Sequence, residues 1–313
     1  MSKLGLAFGG GGARGLAHIG VLKYLDAENI KIQAIAGCSM GALIGGLYCY
    51  YGDAKQVEDF IYRAIKHPKF IELGIDKLND NNKKPDKSYF EQFFDYIGTR
   101  VQALKALNRL SYFDEKVTEE IYQIIPDIPI ENLKIKFSAI ATDLLSGEEI
   151  NFTRGSLRDV IRASSAIPGI FPPVKHQNYF FIDGSASESV PAGKVREIGA
   201  DRVLAVDVTR CIKTIEQPQN IFDVLYRAED ITSFKLSVLR LREADLVIRP
   251  QVRHLTWADF DKAEEIISAG ETTAKENIDE IKKLINRNSY LLEIEHYIKK
   301  LKGDAYAEIN FSN

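Results

Sequence analysis

Leu4-Gly5-Leu6-Ala7-Phe8-Gly9-Gly10-Gly11-Gly12-Ala13-Arg14-Gly15-Leu16-Ala17-His18-Ile19-Gly20-Val21-Leu22 runs from an apolar segment through a glycine loop into a second apolar segment. That is the pattern of a strand, a tight turn and a helix. The grammar then repeats: Ile30-Lys31-Ile32-Gln33-Ala34-Ile35-Ala36 is strand-like, Ala42-Leu43-Ile44-Gly45-Gly46-Leu47-Tyr48 is helix-like, and Gly37-Cys38-Ser39-Met40-Gly41 joins them. Two such units in succession predict a parallel sheet with helices on its faces. Ser39 stands at the second strand-to-helix turn, the setting of a nucleophile elbow.

The flanking glycines have a steric reason. A turn sharp enough to push a side chain outward crowds the positions two before and two after it, and Gly37 and Gly41 carry no Cβ to collide there. The helix that follows Ser39 aims unpaired N–H groups at any negative charge that develops nearby. The loop of Gly10, Gly11 and Gly12 offers converging N–H groups from a second direction, as an oxyanion hole requires.

Gly10-Gly11-Gly12-Ala13-Arg14-Gly15 also satisfies G-x-G-x-x-G between a strand and a helix, the dinucleotide fingerprint. That reading needs an acidic residue about 20 positions on, at the end of the second strand. Gln33-Ala34-Ile35-Ala36-Gly37 occupies the region instead, so a nucleotide cofactor is not expected.

The chain of 313 residues is long enough for one large α/β domain, and its 45% hydrophobic and 27% charged residues are ordinary globular values. A net charge of −3 gives no general attraction to nucleic acid. The N-terminus has no signal-peptide pattern, and no apolar run reaches the ~18 residues of a membrane span. A cytoplasmic protein with at most peripheral membrane contact is expected. Cys38, Cys49 and Cys211 make neither a disulfide framework nor a zinc pattern, and the 5 histidines show no ligand spacing; no metal and no cofactor are expected.

Further along, the polar stretch 79–87 breaks the order, and Phe90, Phe93, Phe94, Ile97, Val101, Leu104 and Leu107 recur at helical spacing. Residues 67–112 read as an insertion, a candidate lid, membrane contact or core helix. Strands are predicted at 134–143, 149–153, 179–182, 202–208 and 244–248, with a hairpin-like turn at Ser146-Gly147 and a helix over 156–164. One helix is predicted over 258–285, weakened at Gly270, and an amphipathic tail over 288–313 is a candidate surface for a partner or a second copy. Domain boundaries follow: 3–210 a core with the insertion, 211–287 its C-terminal part, then the tail.

The elbow serine needs a base. None of His18, His67, His176, His254 and His296 sits in a glycine-framed turn at a strand end. Asp183 does, before Gly184, at the end of Tyr179-Phe180-Phe181-Ile182, and is the better candidate. Arg14 reads equally well as an orienter of the glycine loop, a phosphate contact or a solvated side chain; Arg14 and Met40 are candidate substrate contacts. Ser165, beside a Pro-Gly loop, reads as structural, and Asp143 and Asp207 as caps of the elements that follow them.

Together, Gly10–Gly15, Gly37–Gly41, the run Arg162-Ala163-Ser164-Ser165-Ala166-Ile167-Pro168-Gly169-Ile170-Phe171-Pro172-Pro173 and Asp183-Gly184-Ser185 resemble the patatin-like phospholipase family in its bacterial form. The resemblance spans residues 3–66 and 113–287. It implies a three-layer sandwich with a mostly parallel central sheet, and a calcium-independent serine lipid acyl hydrolase acting on phospholipids or lysophospholipids at a membrane surface or micelle. It implies Ser39 as nucleophile, Asp183 as general base and the N–H groups of Gly10, Gly11 and Gly12 as oxyanion hole. Ser185 departs from the family's usual Ala or Gly, and its hydroxyl is placed to hydrogen-bond Asp183. Two alternatives remain: an acyltransferase using a carrier thioester, which would require a serviceable histidine, and a lipid-binding module that no longer turns over.

Overall fold

The computed structural model describes residues 3–75, 109–209 and 221–286, with single residues 212, 214 and 217 between the last two stretches. The run from Phe90 to Leu107 expected at helical spacing and the tail expected over 288–313 lie outside them. Eight strands form one sheet: β1 (Leu4–Phe8), β2 (Ile32–Cys38), β3 (Lys136–Asp143), β4 (Glu149–Phe152), β5 (Val174–His176), β6 (Tyr179–Asp183), β7 (Arg202–Val206) and β8 (Leu246–Ile248). The order is β5-β6-β3-β2-β1-β7-β8, with β4 paired to β3. Strands β3, β2, β1, β7 and β8 run parallel, while β4, β5 and β6 form the antiparallel end. The sheet is mixed and mostly parallel, with helices on both sides, as expected.

Alternation along the central strands explains why both faces are buried. Leu4, Leu6 and Phe8 of β1, Ile35 of β2, and Leu204 and Val206 of β7 enter the larger core. It is covered by helices α1 (Ala17–Ala27), α2 (Met40–Tyr51) and α3 (Ala54–Ile65). The intervening Ala7, Ala34, Ala36, Val203 and Ala205 point the other way into a second core with Val190, Ala192 and Val195. Small residues on that face let the short helix Ala192–Glu197 approach closely: a Cβ at Gly5 would overlap the side chains of Val195 and Ala200.

The C-terminal helical segment differs from the sequence reading. The segment expected as one helix over 258–285 is a 3-10 turn (Phe260–Lys262) followed by helices Ala263–Glu276 and Ile278–Asn286. The break is at Asn277, whose side-chain amide donates to the Thr273 carbonyl at 2.8 Å, a local bond of the kind that competes with helix continuation. Gly270, expected as a weak point, is a contact instead. A Cβ there would strike the Ala17 carbonyl of α1, and one at Gly20 would strike the backbone at Ile267, so the two glycines let these helices meet backbone to backbone.

Register brings the two ends of the sheet together. Residues Lys136–Ile140 of β3 pair with Ala34–Cys38 of β2. Beyond the end of β2, Ala141–Asp143 pair antiparallel with Asp183–Phe181 of β6. Asp183 therefore faces Ala141, one residue past the Ile140 that faces Cys38.

Candidate active site

Ser39 joins β2 to α2 with φ 53° and ψ −121°, a left-handed conformation that costs a non-glycine residue free energy and persists only where packing enforces it. The enforcement is visible. A Cβ at Gly37 would lie 2.5 Å from the Ala42 nitrogen, and one at Gly41 would strike the Phe8 carbonyl of β1. Strand, turn and helix are thus in backbone contact around the serine. The Ser39 carbonyl starts the helix, accepting from Ala42 N–H at 2.9 Å and Leu43 N–H at 3.1 Å. Its own N–H donates to the Ser164 hydroxyl at 3.0 Å.

The Ser39 hydroxyl lies close enough to the Asp183 carboxyl to favour its ionised form. Asp183 is 1% exposed. Its Oδ1 accepts from the Ser185 N–H at 2.9 Å and from the Cys38 thiol at 3.6 Å. Burial lifts its carboxyl above the ordinary aspartate range, while Ser39, the N–H and hydroxyl of Ser185, and Cys38 pull the other way. Burial and the neighbouring Asp183 hold the Cys38 thiol well up, so it stays a hydrogen donor.

The glycine loop lies over the serine: a Cβ at Gly10 would sit 3.3 Å from Ser39 Cβ. Gly12 has φ +57° and lines the cavity in front of Ser39. Gly10 requires a correction. Its N–H donates to the Ser189 carbonyl at 2.9 Å, so it anchors the loop and is not available as an oxyanion donor.

Arg14 requires another. It is 1% exposed, lies off the cavity wall and donates to the Leu255 carbonyl at 3.4 Å. With the Ala13 N–H bound to the Trp257 carbonyl at 2.7 Å, it ties the loop to a distant segment and does not meet substrate. Met40 does line the cavity. His18, in the helix after the loop, is buried and stacked on Phe8 with centroids 4.4 Å apart. Its Nε2 lies 2.8 Å from the Gly9 carbonyl, and burial lowers its pKa to about 4. A carbonyl only accepts, so the neutral ring donates from Nε2 and braces the loop.

Ser39 opens onto a cavity of about 130 Å³ walled by apolar side chains from α2, α3 and the stretch 70–75, among them Leu43, Ile61, Ile65, Phe70 and Leu73. The far wall is the helix Glu115–Tyr122, which the sequence reading did not identify. Besides Ser39, the hydroxyls on the wall are Thr118, Tyr122 and Ser165. Thr118 donates to the Asp114 carbonyl at 2.8 Å, and the Tyr122 hydroxyl lies beside Ser165. With most of its lining apolar, the wall presents hydrocarbon to an occupant.

Ser164 and Cys38, which touch the serine and the aspartate, escaped the sequence reading as contacts. The run Arg162–Pro173 carried the only signal for Ser164, as one of two adjacent serines with nothing to choose between them. Asp143 and Asp207 act as local caps: Asp143 accepts from the Ser146 N–H and hydroxyl, Asp207 from the N–H of Thr209. Among the described residues no cluster of His, Cys, Asp or Glu could hold a metal ion, and no helix is long and apolar enough to cross a membrane.

The profile of the patatin-like phospholipase family matches residues 6–195, a span holding the elbow, the glycine loop and Asp183. The chain belongs to the patatin-like phospholipase family. Over 206 residues it is 32% identical to an uncharacterised NTE family protein of Mycobacterium bovis, an alignment covering 66% of this chain and 49% of that protein. Over 211 residues it is 29% identical to the neuropathy target esterase sws of Drosophila melanogaster, covering 66% of this chain and 13% of that one. Set against the Mycobacterium protein, the patatin-like match takes in about half of the relative's length. Among solved structures, VipD from Legionella pneumophila aligns with a TM-score of 0.45 at 14% identity, covering 89% of this chain and 67% of that one.

Proposed function

We propose that this patatin-like chain hydrolyses an ester bond of a phospholipid or lysophospholipid through an acyl-Ser39 intermediate. One observation carries the reading: a serine in a strained elbow, beside a buried carboxylate, at the end of a cavity whose wall offers hydrocarbon. Ser39 Oγ attacks the ester carbonyl and its proton passes to Asp183. Burial helps here, because a carboxyl with a raised pKa is a better base than an aspartate near 3.9. The oxyanion is received by the N–H groups of Gly11 and Gly12 and by that of Met40 in the first turn of α2, where the helix has no internal acceptor to offer. The acyl chain lies along Leu43, Ile61 and Ile65. The alcohol departs with the proton from Asp183, and water then repeats the sequence to free the fatty acid.

The test compares wild type with Ser39→Ala on lysophospholipid micelles and on a fluorophosphonate probe. Wild type should release fatty acid and take up the probe at Ser39, and the variant should do neither while keeping its thermal transition. Fatty-acid release by the variant at the wild-type rate would overturn the proposal.

A further inference from the structure

Glu188 lies five positions beyond Asp183 and is 1% exposed, and neither of its carboxyl oxygens receives an N–H or O–H from any described residue. The fold brings another carboxyl beside it: Glu149 on β4 pairs with Thr142 of β3, whose hydroxyl lies 2.8 Å from that of Ser187, the residue before Glu188, and the Glu149 charge acts on Glu188. Two carboxylates are acceptors only and cannot bond each other, whereas a single proton between them turns the contact into a hydrogen bond. The Glu149 carboxylate is also held by Lys194 of the helix Ala192–Glu197 at 2.9 Å and by Arg240, the last residue of the helix Ile221–Arg240, at 3.1 Å, and both cations also act on Glu188, favouring its ionised form. Glu197 and Glu243 share those two cations, and Cys38 of β2 feels both carboxyls.

The backbone around Glu188 connects directly to the site. Its N–H donates to the Gly184 carbonyl at 2.7 Å, closing the turn that begins at Asp183, and the carbonyl of the next residue, Ser189, holds the N–H of Gly10. In the same turn the hydroxyls of Ser187 and Thr142 lie 2.8 Å apart. One short segment therefore carries the proposed base at one end and the anchor of the glycine loop at the other.

We propose that Glu188 is a positioning residue: its contact with Glu149 clamps the Asp183–Ser189 turn to the sheet and so sets Asp183 and the glycine loop relative to Ser39. The inference rests on the Ser39–Asp183 reading above. Burial and the adjacent Glu149 push the Glu188 carboxyl up to about 8. A group whose folded pKa is raised above its ordinary 4.5 contributes stability that is full below that value and is lost as pH rises through about 8. Above it, the buried Glu188 carboxylate faces the carboxylate of Glu149 and the clamp opens.

The experiment uses the full chain, with kcat and KM for p-nitrophenyl butyrate and thermal unfolding without substrate, both from about pH 6 to about pH 9.5. Wild type should lose kcat on the alkaline side. Glu188→Ala should lower kcat about ten- to a hundred-fold at neutral pH with KM little changed, since misplacing reacting groups by an ångström costs that much. Glu188→Gln, which keeps a donor toward Glu149 but has no proton to lose, should restore turnover and abolish the alkaline decline. Its melting temperature should gain on wild type as pH rises. An alkaline decline and a melting profile in Glu188→Gln that both match wild type would overturn the inference. The melts need no activity, so they judge the pair even if Ser39 proves not to be the nucleophile.

Discussion

Ser39 and Asp183 meet at the end of a chain of backbone constraints, and the chemistry of the site follows from single atoms there. Asp183→Asn keeps the shape of the base and removes its charge; turnover of a short-chain nitrophenyl ester should fall at least about 100-fold, and an unaltered rate would return the role to a histidine. Since burial lifts the Asp183 carboxyl, the ionised form needed for catalysis is lost as pH falls through a value above the ordinary aspartate range. Ser185→Ala removes one of the groups that favour that ionised form, so the acid limb of the kcat/KM profile should move to higher pH; a limb that stays put or moves down would contradict this. The serine and the aspartate were legible because each sits in a glycine-marked turn at a strand end. Arg14 was not, because an arginine at the start of a helix reads equally well as solvated or bound until Leu255, 241 residues away, is seen to cover it.

At the level of elements, the cavity and the helix pair around Gly20 and Gly270 have separate consequences. Ala64 lies on the cavity wall in α3, and Ala64→Phe should fill part of the space where an acyl chain would lie. The specificity constant for a long-chain nitrophenyl ester should drop about tenfold while that for the butyrate stays the same, the scale of a few methylenes in an apolar pocket. An equal loss on both would mean the acyl chain lies elsewhere. Gly270→Ala puts a methyl group against the Ala17 carbonyl and should cost about 1–3 kcal/mol of stability in a urea titration, the reverse of the usual gain from Gly to Ala within a helix. The strands other than β5 (Val174–His176) were read within a few residues, because apolar runs are a local property. The Glu115–Tyr122 and Ile221–Arg240 helices were missed, and the Asn277 break was not foreseen, since what a helix end bonds to is decided by neighbours.

For the whole molecule, the proposed hydrolysis has acyl transfer as its rival. Acyl transfer would call for a histidine able to take a proton, and His18, the one beside the glycine loop, is buried, neutral and committed to the Gly9 carbonyl. Hydrolysis is therefore the expected outcome. Phospholipid vesicles incubated with wild type should yield free fatty acid by mass spectrometry with no acyl group moved to an added alcohol, and Ser39→Ala should yield neither. Transfer in excess of hydrolysis would reverse the assignment.

Four short runs of residues specify the parallel sheet, the elbow and the identity of its serine and aspartate, because glycine spacing and strand periodicity express constraints that act within a dozen bonds of each other. They do not specify which glycine N–H remains free, what covers Arg14, where the acyl cavity runs or what Glu188 faces. Each of these depends on groups that meet only when β3 outruns β2 and pairs its protruding end with β6. That register sets the carboxyl of Asp183 against the serine, and hydrogen bonding and burial are completed by whatever the fold then brings alongside.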